Sequence, residues 1–171
     1  MTSPASRWLV RAGIAFVVVV SAVVWVYAFL IADPKNPDRL ADPSFPRAAA
    51  PVCKAAKDEI RAAGLIGLEA KSPQARADIT ERADAILEKM VGNLKPLAPT
   101  TGADAPVITG WLSDWDGYFA DRDGWITKLR AGEDAPFLER SRPDSGEALT
   151  KAMKAFAEVN GMQDCEPPDN Y

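Results

Sequence analysis

Residues 104–131, DAPVITGWLSDWDGYFADRDGWITKLRA, carry the strongest helical signal in the chain. Ile108, Trp111, Leu112, Trp115, Tyr118, Phe119, Trp125, Ile126 and Leu129 fall within one broad face at helical spacing, and Gly132 supplies the stop. Three other segments read the same way. From Arg47 to Ala63 the apolar stripe is Val52, Ala56, Ile60 and Ala63, ended by Gly64. The next helix opens on Ser72 as N-cap with Pro73 at the first helical position. Its inner stripe is Ala75, Ile79, Ala83, Ile86, Met90 and Leu94, stopped by Pro96 and Pro99. The last segment has the form of a capping box, Asp144-Ser145-Gly146-Glu147, followed by Leu149, Met153, Phe156 and Val159. No run alternates with period two for long, so no sheet is expected. Four helices with mostly short links predict an all-α, antiparallel four-helix bundle over residues 47–171.

The cysteines fit that path. Cys53 and Cys165 are the only two in the chain. In an up-down-up-down bundle the start of the first helix and the end of the fourth share one end, so a Cys53–Cys165 disulfide closes the bundle there. In the chain-entropy description a loop that long stabilises by about 4–5 kcal/mol. No C-x-x-C is present, which argues against a redox role.

Upstream lies an apolar run without charge or proline, Ala12 to Ala32, AGIAFVVVVSAVVWVYAFLIA. As a helix it reaches about 31 Å, against a hydrocarbon core of about 30 Å. It reads as a transmembrane signal anchor. A cleaved signal peptide has a shorter apolar core and a small-x-small exit, and neither Ala28-Phe29-Leu30 nor Leu30-Ile31-Ala32 supplies one. Arg7 and Arg11 precede the run, so residues 1–11 are expected as a cytoplasmic tail and the rest as extracytoplasmic. Residues 33–46, with prolines at 34, 37, 43 and 46, read as a stalk, unless Phe45 packs it down. The expected localisation is the plasma membrane, single-pass.

Charge and composition narrow the function. All 24 acidic residues follow Ala32, whereas Arg7 and Arg11 precede it, so the exterior part is more acidic than the chain's net −4. That repels phosphate backbones and argues against nucleic acid. The chain has no histidine, which removes the commonest general base and metal ligand. No P-loop, G-x-S-x-G or dinucleotide fingerprint occurs. No catalytic residue, cofactor or metal site is therefore assigned.

Two features of the long third helix qualify as candidates. Asp114-Trp115-Asp116-Gly117 recurs as Asp121-Arg122-Asp123-Gly124, but its spacing does not fit the calcium loop of an EF-hand. Asp114 and Asp121 share one edge of the apolar face, Asp116 and Asp123 the other; such edges normally meet solvent. Arg122 falls inside the aromatic face. It either snorkels to the surface or pairs with an internal acid, such as Glu81, Asp84 or Glu158, or else marks an anion pocket with Trp111, Trp115, Tyr118 and Trp125 as the ligand or partner face. Gly110, Gly117 and Gly124 recur at seven-residue steps, a pattern that permits close approach by a neighbour.

The stretches LTKAMKAFAEVNGMQDC (149–165) and WLSDWDGYFADRDGW (111–125), the latter followed by Gly132-Glu133-Asp134-Ala135-Pro136-Phe137, resemble uncharacterised actinobacterial single-pass membrane proteins with an extracytoplasmic helical domain. The resemblance implies an envelope-facing bacterial domain and transfers no catalytic residue. The expected function is a membrane-anchored binding or scaffolding component of the cell envelope, with the bilayer as partner through residues 12–32 and a protein partner outside. The alternative is a small-ligand or anion sensor built on Arg122 and the tryptophans.

Overall fold

The computed structural model describes residues 4–27, 36–65, 70–143 and 145–168. The chain divides into two compact units, Met1–Pro37 and Asp38–Tyr171. The described residues form five α-helices and no strand; one isolated antiparallel bridge joins Ser141 and Ala148.

The first unit is α1 (Pro4–Val26). Valine is a poor choice for a helix in water because its branched side chain loses freedom against the preceding turn. Here Phe16, Val17, Val18, Val19, Val23 and Val24 are all exposed. Among the described residues no helix is long and apolar enough to cross a membrane. Within α1 the uncharged stretch from residue 12 to 26 spans only about 22 Å at about 1.5 Å per residue. The end of the expected span, residues 28–32, and the start of the expected stalk, residues 33–35, lie outside the described residues.

The second unit contains α2 (Ser44–Ala62), α3 (Pro73–Leu94), α4 (Asp104–Arg130) and α5 (Leu149–Val159). Short 3-10 turns follow α3 at Lys95–Leu97 and α5 at Gln163–Cys165. Helix α3 packs against both α2 and α4, and α5 packs against α4. Cys53 in α2 and Cys165 in the last turn are bonded, with a Cα–Cα distance of 5.0 Å, and both are fully buried.

The expected stalk is corrected at its inner end. The second unit starts at Asp38 rather than 47, and α2 starts at Ser44. Phe45 is buried with its ring edge-on to Trp111, centroids 6.3 Å apart. Just before it, the carboxylate of Asp104 accepts from the backbone N–H groups of Ala41 and Asp42, at 3.0 and 2.8 Å. Asn160 holds the same segment from the other side: its Oδ1 accepts from Leu40 N, and its Nδ2 donates to Asp38 O. The prolines favour extended chain, but these bonds and one aromatic anchor fix it against the helices.

Helix α3 starts as its sequence dictates, with Ser72 Oγ accepting from Ala75 N at 3.1 Å. Its buried face is nevertheless rotated from the expected stripe. Ala77, Thr80, Asp84, Leu87 and Val91 are buried beside Ala83, Met90 and Leu94, while Ala75, Ile79 and Ile86 are half-buried. The rotation points Asp84 at α4.

The capping box is also corrected. Helix α5 begins at Leu149, and its N-cap, Ala148, makes no side-chain cap. Glu147 instead pairs forward with Lys151 at 2.9 Å, and Asp144 lies outside the described residues. The described residues of 133–148 take no helix. They form a strap that returns along α4. The strap leaves α4 through Gly132, whose φ of +88° lets Glu133 N reach back to Lys128 O at 3.0 Å.

Candidate functional site

The aromatic face of α4 converges on the interior. Trp111, Trp115 and Tyr118 are almost completely buried, and Trp125 is half-buried. Trp111 stacks on Phe156 of α5, centroids 5.0 Å apart, and its Nε1 donates to Met153 O at 3.3 Å. Trp115 lies edge-on to Tyr118 at 5.7 Å and tilted against Phe119 at 5.6 Å. These contacts are those of a packed core, where aromatic pairs prefer edge and offset geometries.

Arg122 belongs to the same layer. Its Nε lies 2.7 Å from Asp84 Oδ1 and 2.9 Å from Oδ2, and both side chains are buried. Of the three acids that the sequence offers as partners, Asp84 is the one that meets it. Glu81 serves Arg130 instead, at 2.6 Å. The guanidinium carbon sits 5.2 Å from the Tyr118 ring centre and 5.9 Å from those of Trp125 and Phe137. A flat, weakly hydrated cation surrounded by ring faces loses less on burial than an ammonium would.

Burial penalises the negative charge of Asp84 more than the guanidinium favours it, so its carboxyl is raised to about 6. The same burial raises the Tyr118 hydroxyl to about 12. Asp84 is mostly ionised at neutral pH and gains a proton in mildly acidic solution.

The strap closes this layer from outside. Trp125 Nε1 donates to Ala135 O at 2.7 Å, and Phe137 packs on both Trp125 and Tyr118. Arg140 donates through Nε and Nη2 to Asp121 Oδ1, at 2.9 and 2.7 Å, while its backbone N–H donates to Asp121 Oδ2 at 2.8 Å. Arg142 pairs with Asp114 at 3.5 Å. Glu139 accepts from the N–H and hydroxyl of Thr150, tying the strap to the start of α5. The partners on α4 run 125, 121, 114 as those on the strap run 135, 140, 142, so the strap is antiparallel to the helix.

Three of the four repeated aspartates thus receive a structural assignment. Asp114 and Asp121 hold the strap along one edge, and Asp116 on the other pairs with Lys95 at 2.9 Å. Among the described residues no group of three or more His, Cys, Asp or Glu side chains is placed to hold a metal ion. Gly117 is where close approach occurs. A Cβ there would lie 3.3 Å from Leu149 Cδ2 and 3.6 Å from Arg140 Cδ, while one at Gly110 or Gly124 would meet nothing within 4 Å.

Open surface lies elsewhere. A groove of about 980 Å³ runs beside the link between α3 and α4, lined in part by Lys95, Thr100, Thr101, Thr109, Ser113 and Asp116. A smaller one, about 360 Å³, continues from Lys95 and Asp116 between α3 and α4 toward Glu88 and Asp123. Neither is lined by Arg122 or by the tryptophans. The link beside the larger groove, residues 96–103, PLAPTTGA, carries no charge.

No known protein family, curated protein or solved structure matches this chain.

Proposed function

We propose that the chain is a single-pass membrane protein whose helical unit from Asp38 onward works outside the cytoplasm, as a binding or scaffolding component of the bacterial cell envelope, without catalytic chemistry of its own. The observation that carries this reading is the buried Cys53–Cys165 disulfide. Such bonds persist in oxidising compartments and are rare in the cytosol. The second support is α1, whose valines and aromatic rings are exposed along its described length and continue in sequence to Ala32. A bilayer covers such a surface, and a helix satisfies its own backbone there. Residues 12–32 are the proposed span, and Arg7 and Arg11 set its N-terminal side to the cytoplasm.

Within the exterior unit we read α2 to α5 as an antiparallel bundle, with the disulfide tying the middle of α2 to the turn after α5. Support comes from the contacts of α3 with α2 and α4, of α5 with α4, and from the tie between α2 and the turn after α5. The partner of Arg122 is Asp84 from within the fold, which favours a scaffold over an anion sensor.

Fractionation of cells producing the full chain tests this reading. The chain is expected to stay in the membrane pellet after carbonate washing, and protease added to intact spheroplasts is expected to degrade the part after residue 38. Recovery in the soluble fraction, or protection until lysis, overturns it. So does a secreted form that lacks residues 1–32.

A further inference from the structure

We infer that Thr100 and Thr101 are acceptor sites for O-linked glycosylation; this rests on the extracytoplasmic placement proposed above. Charged residues make up 26% of the chain, yet residues 96–103 of the link between α3 and α4, PLAPTTGA, contain none. Threonine set among proline and small residues is the composition of O-glycosylated segments.

The structure presents the two side chains as such an acceptor needs. Thr100 and Thr101 are exposed, as are Pro99 and Gly102 on either side. The backbone enters in extended form: Ala98 has φ −67° and ψ 134°, the polyproline II region, and Pro99 follows. Gly102, at φ +95°, then turns the chain into α4. The exposed residues 99–103, small and outside any helix, can be laid into the cleft of a transferase without unfolding the unit. Neither hydroxyl has a hydrogen-bond partner among the described residues. By contrast, Thr127 Oγ1 donates to Asp123 O, Thr150 Oγ1 donates to Glu139, and Thr80 is buried.

The open groove adds a seat for the product. Thr100 and Thr101 stand on its rim, and Thr109, Ser113, Lys95 and Asp116 line its wall with donors and acceptors suited to sugar hydroxyls. The reaction is a transfer from a sugar carried on a polyprenyl phosphate. The threonine Oγ attacks C1, the bond from C1 to the phosphate oxygen breaks, and the lipid phosphate departs with that electron pair. The hydroxyl proton passes to a base of the transferase.

The full chain purified from native membranes tests the inference by mass spectrometry of the peptide spanning residues 96–106, with fragmentation that preserves side-chain adducts. Hexose increments on Thr100 or Thr101 are expected, lost in T100A/T101A with no change in melting temperature. An unmodified peptide, or sugar placed only elsewhere, overturns the inference. If that chain is membrane-bound with Cys53–Cys165 intact, the proposed function survives the failure. Phosphate rather than hexose on these threonines overturns both, because it places the loop in the compartment of nucleotide-dependent kinases.

Discussion

Arg122 on α4 and Asp84 on α3 form an ion pair inside the fold, with 6% and 9% of their side chains exposed. The two members differ in what happens when one is removed. A guanidinium cannot shed its charge in a protein, whereas a carboxyl can take up a proton. Asp84, already raised to about 6, needs little to become neutral.

Asp84→Ala is therefore expected to be the more damaging substitution. It leaves a charged group buried without its counter-ion, a loss of about 3–5 kcal/mol. Arg122→Met leaves a carboxyl that protonates, and the expected loss is about 1–3 kcal/mol. The double change Asp84→Leu with Arg122→Met should recover most of the loss, since a packed apolar pair replaces a desolvated ionic one. Urea unfolding of the three variants provides the measurement. Equal losses in the two single variants would show that the charge on Arg122 is compensated by other groups.

The same pair sets a pH dependence with an unusual sign. Because the folded value of Asp84 lies above its unfolded value of 3.8, the folded state holds this proton more tightly. Its contribution falls as pH rises from about 4 to about 6, by up to about 3 kcal/mol, and is flat above. Asp121 behaves oppositely. Burial alone would raise it, but the side-chain and backbone hydrogen bonds from Arg140 outweigh that and lower it. Its contribution is present above 3.8 and lost as pH falls further. Unfolding free energies measured between pH 4 and 7 should decline in the wild-type chain and lose most of that decline in Asp84→Asn.

The strap gives a third expectation. Asp121 holds both the side chain and the backbone N–H of Arg140, so Asp121→Ala removes more than Arg140→Ala does. The aspartate substitution is expected to cost about 1–2 kcal/mol, the order of a charge-assisted bond to backbone. The arginine variant keeps its main-chain bond only while Asp121 is present, and should be milder. Limited proteolysis between residues 133 and 148 reads the difference directly: several-fold faster cleavage in Asp121→Ala, a smaller change in Arg140→Ala. Unchanged cleavage in both would mean that Phe137 and Trp125 alone hold the strap down.

What the sequence revealed followed from local chemistry. Ser72-Pro73 specifies a helix start whatever surrounds it, and the bond to Ala75 N forms as expected. The two cysteines were paired from the sequence as the only two in the chain, and the disulfide forms, although Cys53 lies in the middle of α2 rather than at its start. The rotated face of α3 was not legible, because Thr80 and Asp84 look like surface residues until Arg122 is placed opposite them. Phe45 was offered by the sequence only as the alternative to a stalk, because the prolines around it favour extended chain, and its contact with Trp111 decides for that alternative. The capping box misled for a related reason. The backbone there is already used by the strap, with Arg142 N donating to Glu147 O at 2.8 Å, so the helix starts at Leu149. At the candidate site, an internal acid for Arg122 could be narrowed to three residues from sequence. The hydroxyl-lined groove could not be seen, because threonine and serine carry no spacing rule.

The three helical glycines of α4 separate propensity from packing. Each costs about 1 kcal/mol relative to alanine in a helix interior. At Gly124 a methyl group enters open space, so Gly124→Ala should return that amount, and Gly110→Ala likewise. Gly117 has a different environment, since its added Cβ would stand 3.3 Å from Leu149 Cδ2. Leu149 is 3% exposed and begins α5, so it has little room to withdraw. The gain in helix propensity is then offset by crowding, and Gly117→Ala should be neutral or destabilising by up to about 1 kcal/mol. Urea midpoints of the three single variants decide the matter. If Gly117→Ala stabilises as much as Gly124→Ala, the close approach of α5 and the strap does not depend on the missing side chain.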